Sequence, residues 1–252
     1  MYDVRNKSLV SKSKARTFQS VSHNLEEMEE EYMTTYAIPM GGEARYPIKC
    51  NTKLDPRIKV SGIGDILRLP QIVQVRGDFN EESAELFAND FHTAESSGQD
   101  IVPIVIDSYG GDIYSLLSMI DIIESSVVPV ATIGIGKAMS AGAVLLSCGN
   151  DGLRFCSPNA TVMIHSAWEA GISGNADEVK VNAEELMRLN HKVLEILSIN
   201  CGHTKDYFHK IMSAKKNTDW FLSAREAKKH KIINEIRIPE FFVEVSAKVE
   251  FK

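Results

Sequence analysis

At 252 residues, with 44% hydrophobic and 25% charged side chains, the chain fits one large domain, or one domain with an extension, around a sizeable core. A net charge of −6 without a long basic stripe argues against nucleic acid as the main partner, and no apolar run approaches the roughly 20 residues that span a bilayer. The N-terminus lacks the apolar core of a secretory signal, and Cys50, Cys148, Cys156 and Cys201 form no CxxC pair; Cys148 and Cys156 read as buried thiols of a reducing compartment.

Residues 1–24 show little periodicity and read as a flexible arm. Within it 1–22 is Ser-rich and basic, with Asp3 its only acid, a composition that an organelle transit peptide shares. Leu25–Met33, with Glu26, Glu27, Glu29, Glu30 and Glu31, reads as a solvated helix face. Pro39 to Gly42, Pro47 and Pro56 break the next stretch into loops with short strands at most. From Leu67 the order tightens: Gln71–Val75 reads as a strand, Gly77-Asp78 as a turn, and Asn80–Ser96 as a helix with Ser83, Phe87 and Phe91 on one side. Strand 101–106, helix 112–125, strand 127–135, helix 140–148, a short strand near Leu153–Cys156 and strand 160–165 follow. No internal repeat is evident, and short β and α units in alternation indicate an α/β domain.

Asn175–Asn200 is the longest helical pattern. Asn175 and Glu178 form a capping-box-like pair at its start, and Gly202 stands where it should stop. The glycine-flanked Ala170–Gly174 before it is expected to be mobile. Lys205–Ser213 reads as a short helix, and Ala224–Lys229 as another. The tail alternates strictly: Phe241, Val243, Val245, Ala247, Val249 and Phe251 share one face, as a half-buried strand requires. A lone strand of that kind needs a partner. The nearest are the segments around Tyr46–Lys53 and Lys59–Ser61, or a neighbouring subunit, so a small peripheral sheet away from Ser140 is expected. The chain thus divides into an extension (1–70), a core (71–238) and a strand tail (239–252).

Gly134–Gly142, Gly-Ile-Gly-Lys-Ala-Met-Ser-Ala-Gly, places Ser140 where a buried strand turns into a buried helix. A hydroxyl there projects beside a helix N-terminus and becomes a nucleophile if a base and an oxyanion site are supplied elsewhere. His165 closes the apolar strand Ala160–Ile164, where an imidazole needs a partner. The adjacent Gly110 and Gly111 let backbone N–H groups approach a ligand closely. Asp219 stands just upstream of the 224–229 helix.

Four stretches in this order resemble one family: Ser-Tyr-Gly-Gly; Gly-Lys-Ala-Met-Ser-Ala-Gly-Ala; Arg-Phe-Cys-Ser-Pro-Asn-Ala-Thr-Val-Met-Ile-His; and Asp-Trp-Phe-Leu-Ser-Ala-Arg-Glu-Ala. They look like the proteolytic subunit of the Clp protease, ClpP, over about residues 70–238. The resemblance implies an α/β fold of the ClpP/crotonase-like type, with repeated β-β-α units and a protruding handle helix at 175–200. It implies Ser140 as nucleophile, His165 as base, Asp219 as orienting acid, and the amides of Gly111 and Ala141 as the oxyanion hole. It further implies a serine endopeptidase without cofactor or metal. Protein or peptide substrates would be fed by an AAA+ unfoldase into two stacked heptameric rings in the cytoplasm, with an organelle stroma or matrix, or a virus-infected cell, as the other settings. Tyr109 stands where the family has proline, and Ala141 where it has methionine after the nucleophile. Neither exchange removes a catalytic side chain or a backbone donor.

Two phosphate-binding patterns fail. Gly136-Lys137 lacks the first glycine of a P-loop, Ala131 standing there, and Ala138 replaces its Ser/Thr; Gly134-Ile-Gly136 lacks the third glycine of a dinucleotide fingerprint, Met139 standing there. No ATPase is visible. His23, His92, His191, His203, His209 and His230 sit in polar, helix-like contexts and read as surface residues without zinc spacing. A viral capsid-maturation protease on the same fold stays open as an alternative, as do, against the weight of Ser140, His165 and Asp219, a crotonase-like acyl-CoA enzyme and an inactive ring subunit.

Overall fold

A computed structural model describes residues 32–37, 48–54, 70–168, 171 and 173–245. Its main sheet has the strand order β3 (Val73–Phe79), β4 (Val102–Gly111), β5 (Val130–Met139), β6 (Arg154–Cys156) and β9 (Glu235–Ile236), every neighbouring pair parallel. Parallel neighbours need crossovers, and helices α1 (Glu81–Ser96), α2 (Ile113–Ser125) and α3 (Ala141–Ser147) supply the first three. Central strands with both faces covered read as unbroken apolar runs. Hence Val102–Ser108 and Val130–Ile135 are buried throughout. Ile104, Ile106 and Val130 face the large core under the helices; Val105, Ala131, Ile133 and Ile135 face a second, smaller cluster with Ile72 and Phe155. The α/β class read from the sequence is the class of the fold.

The helices form where their ends are satisfied. Asn80 accepts from Ser83 N at 2.8 Å and Ser83 Oγ accepts from Asn80 N at 2.9 Å, a reciprocal cap, while Phe87, Phe91 and Ala94 turn inward. Asp112 caps α2 by accepting from Ser115 N at 2.7 Å. Asn175 and Glu178 make the same reciprocal box at the head of α4 (Ala176–Asn200). Only the C-terminal half of α4 is buried, through Leu189, Val193, Leu194, Leu197 and Ser198, so its first turns extend from the body. Then come α5 (Tyr207–Ala214), β8 (Trp220–Ser223) and α6 (Ala224–Lys229), the last capped by Ser223.

Several boundaries differ from the sequence expectations. Gly77-Asp78 is not a turn: β3 runs through it, with a register shift between Arg76 and Asp78 absorbed by Gly77 at φ +74°. Strands β4 and β5 run on past Ile106 and Ile135 to Gly111 and Met139. β8 and β9 were not foreseen, being too short to show a period. His203 and His230 are half-buried rather than surface residues. His203 stacks on Tyr207 at 3.8 Å, and the Tyr207 hydroxyl bonds His230 Nδ1 at 2.9 Å.

A second sheet joins β1 (Tyr32–Ala37), β2 (Ile48–Leu54) and β10 (Phe241–Val245). β1 pairs antiparallel with β2, and β10 pairs parallel with it, Phe241 opposite Cys50 and Val245 opposite Leu54. Phe241 packs against the smaller core cluster, on the face of the main sheet that α3 does not cover. Tyr32 and Met33 lie in a strand instead of ending a helix. The rest of that expected helix, the arm 1–24, Lys59–Ser61, the tail beyond Val245 and most of loop 170–174 lie outside the described residues.

Candidate active site

Strand β5 ends at Met139 and α3 begins at Ala141, so the whole reversal falls on Ser140. Its backbone sits at φ 53°, ψ −122°, a region that a residue with a Cβ enters at a cost of order 1–3 kcal/mol. Surrounding bonds hold it there: Ser140 N donates to Met163 O at 2.8 Å, and Ala143 N donates to Ser140 O at 2.9 Å. All seven residues of α3 are buried, so the turn cannot relax by shifting the helix. The result is a hydroxyl lifted off the backbone at the head of a helix.

Strand register brings the other side chains to it. β7 (Thr161–Ile164) pairs parallel with the end of β5, Met139 opposite Met163, which carries the next residues of both chains together. His165 Nε2 lies 2.7 Å from Ser140 Oγ. β8 runs antiparallel to β7 with Trp220 opposite Ile164, so Asp219 falls beside His165. The Asp219 Oδ1 to His165 Nδ1 distance is 3.8 Å, an ion-pair separation rather than a hydrogen bond. Burial pushes the His165 pKa below its ordinary 6.5, and the Asp219 carboxylate opposes that shift. The imidazole is therefore neutral near pH 7 and able to accept a proton. Further bonds brace the frame: Ala167 N donates to Asn190 Oδ1 of α4 at 2.8 Å, and Ser166 Oγ to Asn217 Oδ1 at 3.1 Å.

Gly110 and Gly111 end β4 next to the serine, with φ +100° and +147°. A Cβ on Gly110 would stand 2.7 Å from Met139 O and 2.9 Å from Ala141 N; one on Gly111 would stand 2.5 Å from Phe79 O. Only glycine fits either place, and the diglycine borders the first amide of α3. Of the five residues singled out from the sequence, the structure gathers Ser140, His165 and Ala141 closely and sets Asp219, 55% exposed, at the rim. Gly111 lines the same groove, and its neighbour Gly110 makes the close approach to Ser140 and Ala141.

Sequence reasoning missed Ser108. It is fully buried; its hydroxyl accepts from Gly110 N at 2.9 Å and donates to Gly77 O, tying the diglycine to β3. A small polar residue two places past the apolar run 101–106 and two before Gly110 was the available signal. Asn190 gave none, since its role depends on α4 lying against β7's end.

Beneath the serine is an apolar recess of about 30 Å³ lined by Ile113, Leu116, Val144, Ile164, Val193 and Leu194. Above it an open groove runs past Ser140 and His165 between Tyr109, Tyr114, Trp168 and Leu186, with Asp78 and Asp112 at its edge. Among the described residues no group of three or more His, Cys, Asp or Glu is arranged to hold a metal, and no helix is long and apolar enough to cross a membrane. Burial pushes the thiols of Cys148, Cys156 and Cys201 up to about 12, away from nucleophilic chemistry.

The family profile described as Clp protease matches residues 60–239. The ATP-dependent Clp protease proteolytic subunit 1 of Rhodopirellula baltica is 31% identical over 175 residues, covering 69% of this chain and 75% of that relative.

Proposed function

Since the chain belongs to the Clp protease family and is on that ground a peptidase, we propose that it is a serine endopeptidase acting through Ser140, His165 and Asp219. The observation that carries the reading is the 2.7 Å approach of His165 Nε2 to Ser140 Oγ at a strained strand-to-helix turn. His165 takes the Ser140 proton as Oγ attacks the scissile carbonyl, then gives it to the leaving amine; water repeats the cycle on the acyl-enzyme. The amides of Gly111 and Ala141 receive the oxyanion, a donor of this kind contributing about 2.7–4 kcal/mol. Asp219 keeps the proton of His165 on Nδ1 and favours the imidazolium. Its 3.8 Å separation is the looseness that such contacts show without substrate and that closes on binding.

The substrates are proteins or peptides lying in the groove, a small apolar side chain filling the recess under Ser140. The particle is an assembly of two stacked heptameric rings joined through α4, which exposes Val179, Val181 and Met187. The relative is named an ATP-dependent proteolytic subunit. This chain has Ala131 and Met139 where phosphate-binding glycines would stand, so an AAA+ unfoldase in the same cytoplasm supplies ATP hydrolysis. A fluorophosphonate probe should label the native protein at Ser140, and Ser140→Ala should keep its circular dichroism while losing both labelling and peptidase activity. Peptidase activity undiminished in Ser140→Ala would refute the assignment.

A further inference from the structure

We propose that Tyr109 selects substrate: its ring is a fixed platform that favours peptides carrying an aromatic side chain close to the bond cut at Ser140. The inference deepens the serine-peptidase reading and rests on it. Tyr109 directly precedes Gly110–Gly111 on β4 and is 65% exposed in the groove beside Ser140. Side chains alternate along a strand, so Tyr109 faces away from Ser108, and at this end of β4 that face is no longer covered.

An exposed ring at a strand end would ordinarily be free to swing, but this one is anchored. Lys137 Nζ sits 4.5 Å from the ring centroid, and the same ammonium lies 2.7 Å from Asp107 Oδ1. Asp107 is 7% exposed and the Lys137 side chain 25% exposed, so a buried carboxylate holds the ammonium at the edge of the sheet. The chain of contacts Asp107–Lys137–Tyr109 roots the platform in the sheet that also positions Ser140. A pre-ordered ring costs a ligand little conformational entropy on stacking.

The same contact decides which side chain the platform takes. One ring face carries the Lys137 ammonium, so a second cation on the other face meets like charge. An aromatic side chain instead finds an offset-stacking partner whose π density is drawn toward Lys137. Trp168, 70% exposed, and Tyr114, 56% exposed, line the same groove and extend the aromatic surface beside Tyr109. At about 3.3 Å per strand residue, Tyr109 stands about 7 Å from Gly111, about two residues along an extended substrate from the scissile carbonyl.

The test uses the full chain and short fluorogenic peptides with Phe, Leu or Arg placed in turn at each position flanking the scissile bond. At one position Phe should exceed Leu in kcat/KM by about 2- to 12-fold, the factor that 0.5–1.5 kcal/mol of aromatic pairing gives. Most of the difference should appear in KM, because stacking away from the reacting atoms is made before the transition state. Tyr109→Phe should keep that ratio, and Tyr109→Leu, which keeps apolar bulk without the ring, should bring it to about 1. No Phe preference in the native protein, a preference that survives Tyr109→Leu, or a preference for Arg would overturn the proposal. Fluorophosphonate labelling of the native protein separates the two failures. Labelling at Ser140 without a Phe preference sinks the platform alone, whereas no labelling sinks the peptidase reading beneath it.

Discussion

Ser108→Ala deletes one hydroxyl that never touches substrate, yet it should slow the chemistry. The Ser108 oxygen accepts from Gly110 N at 2.9 Å and donates to Gly77 O, so the change breaks two bonds in a fully buried place. At about 0.5–1.5 kcal/mol net for each bond, the stability loss is about 1–3 kcal/mol. For a folded unit of this size that corresponds to a fall in Tm of roughly 2–12 °C. Gly110 N would then have no partner, and the peptide leading to Gly111 could turn away from the oxyanion position. Complete loss of one such donor costs about 10²–10³ in kcat, so partial misalignment should cost about 10- to 100-fold. KM should change little, since the donor acts on charge that develops in the transition state. Ser147→Ala is the matched control. Ser147 is equally buried and also makes two bonds, to Val144 O at 2.6 Å and from Asn200 Nδ2 at 3.2 Å, but it stands at the far end of α3. Steady-state kinetics on a small peptide and thermal unfolding of both variants decide the matter. If the two variants lose similar Tm and Ser108→Ala keeps kcat within twofold of the native protein, the hydroxyl is structural only and the argument fails.

Asp219→Asn should lower kcat/KM by about 10²–10⁴, because an amide can hold the wrong His165 tautomer; a loss under tenfold would remove Asp219 from the mechanism. Since burial sets the His165 pKa below 6.5 and the base works neutral, activity in the native protein should fall only as pH drops through a value lower than 6.5. Asp219→Asn removes the opposing carboxylate and should move that acid limb lower still, as a pH profile of kcat/KM would record. Arg154 is 4% exposed and its guanidinium donates to Ser147 O and Asn200 O, the carbonyls that end α3 and α4, so Arg154→Ala should cost about 2–4 kcal/mol in denaturant unfolding. Met187, 64% exposed on α4, is a better probe of ring stacking than the half-buried, groove-lining Leu186: Met187→Glu should halve the native mass, and an unchanged mass would place the ring contact elsewhere.

Local chemistry was legible in the sequence wherever neighbours along the chain settle it. The pair Asn175 and Glu178 announces its helix because the cap bonds lie within one turn. The runs at 101–106 and 127–135 announce buried strands because both faces of a parallel sheet are covered. Ser140 and His165 stood out because a serine at a strand-to-helix turn and an imidazole ending an apolar strand are each unusual in their own segment. Pairing across the chain was not legible in this way. Four residues of β8 are too few to carry a period, yet only their register against β7 sets Asp219 beside His165. His203 and His230 look like surface residues among polar neighbours, and are half-buried because Tyr207 and Trp220, distant in sequence from one or the other, close over them. Alternation over 241–251 predicts a strand, which the structure describes at Phe241–Val245, but it does not say which strand it would join. That choice rests on β2 presenting an open edge at the place where Phe241 can reach Phe155 and Ile72, and a free edge is a property of the assembled sheet, not of any residue in it.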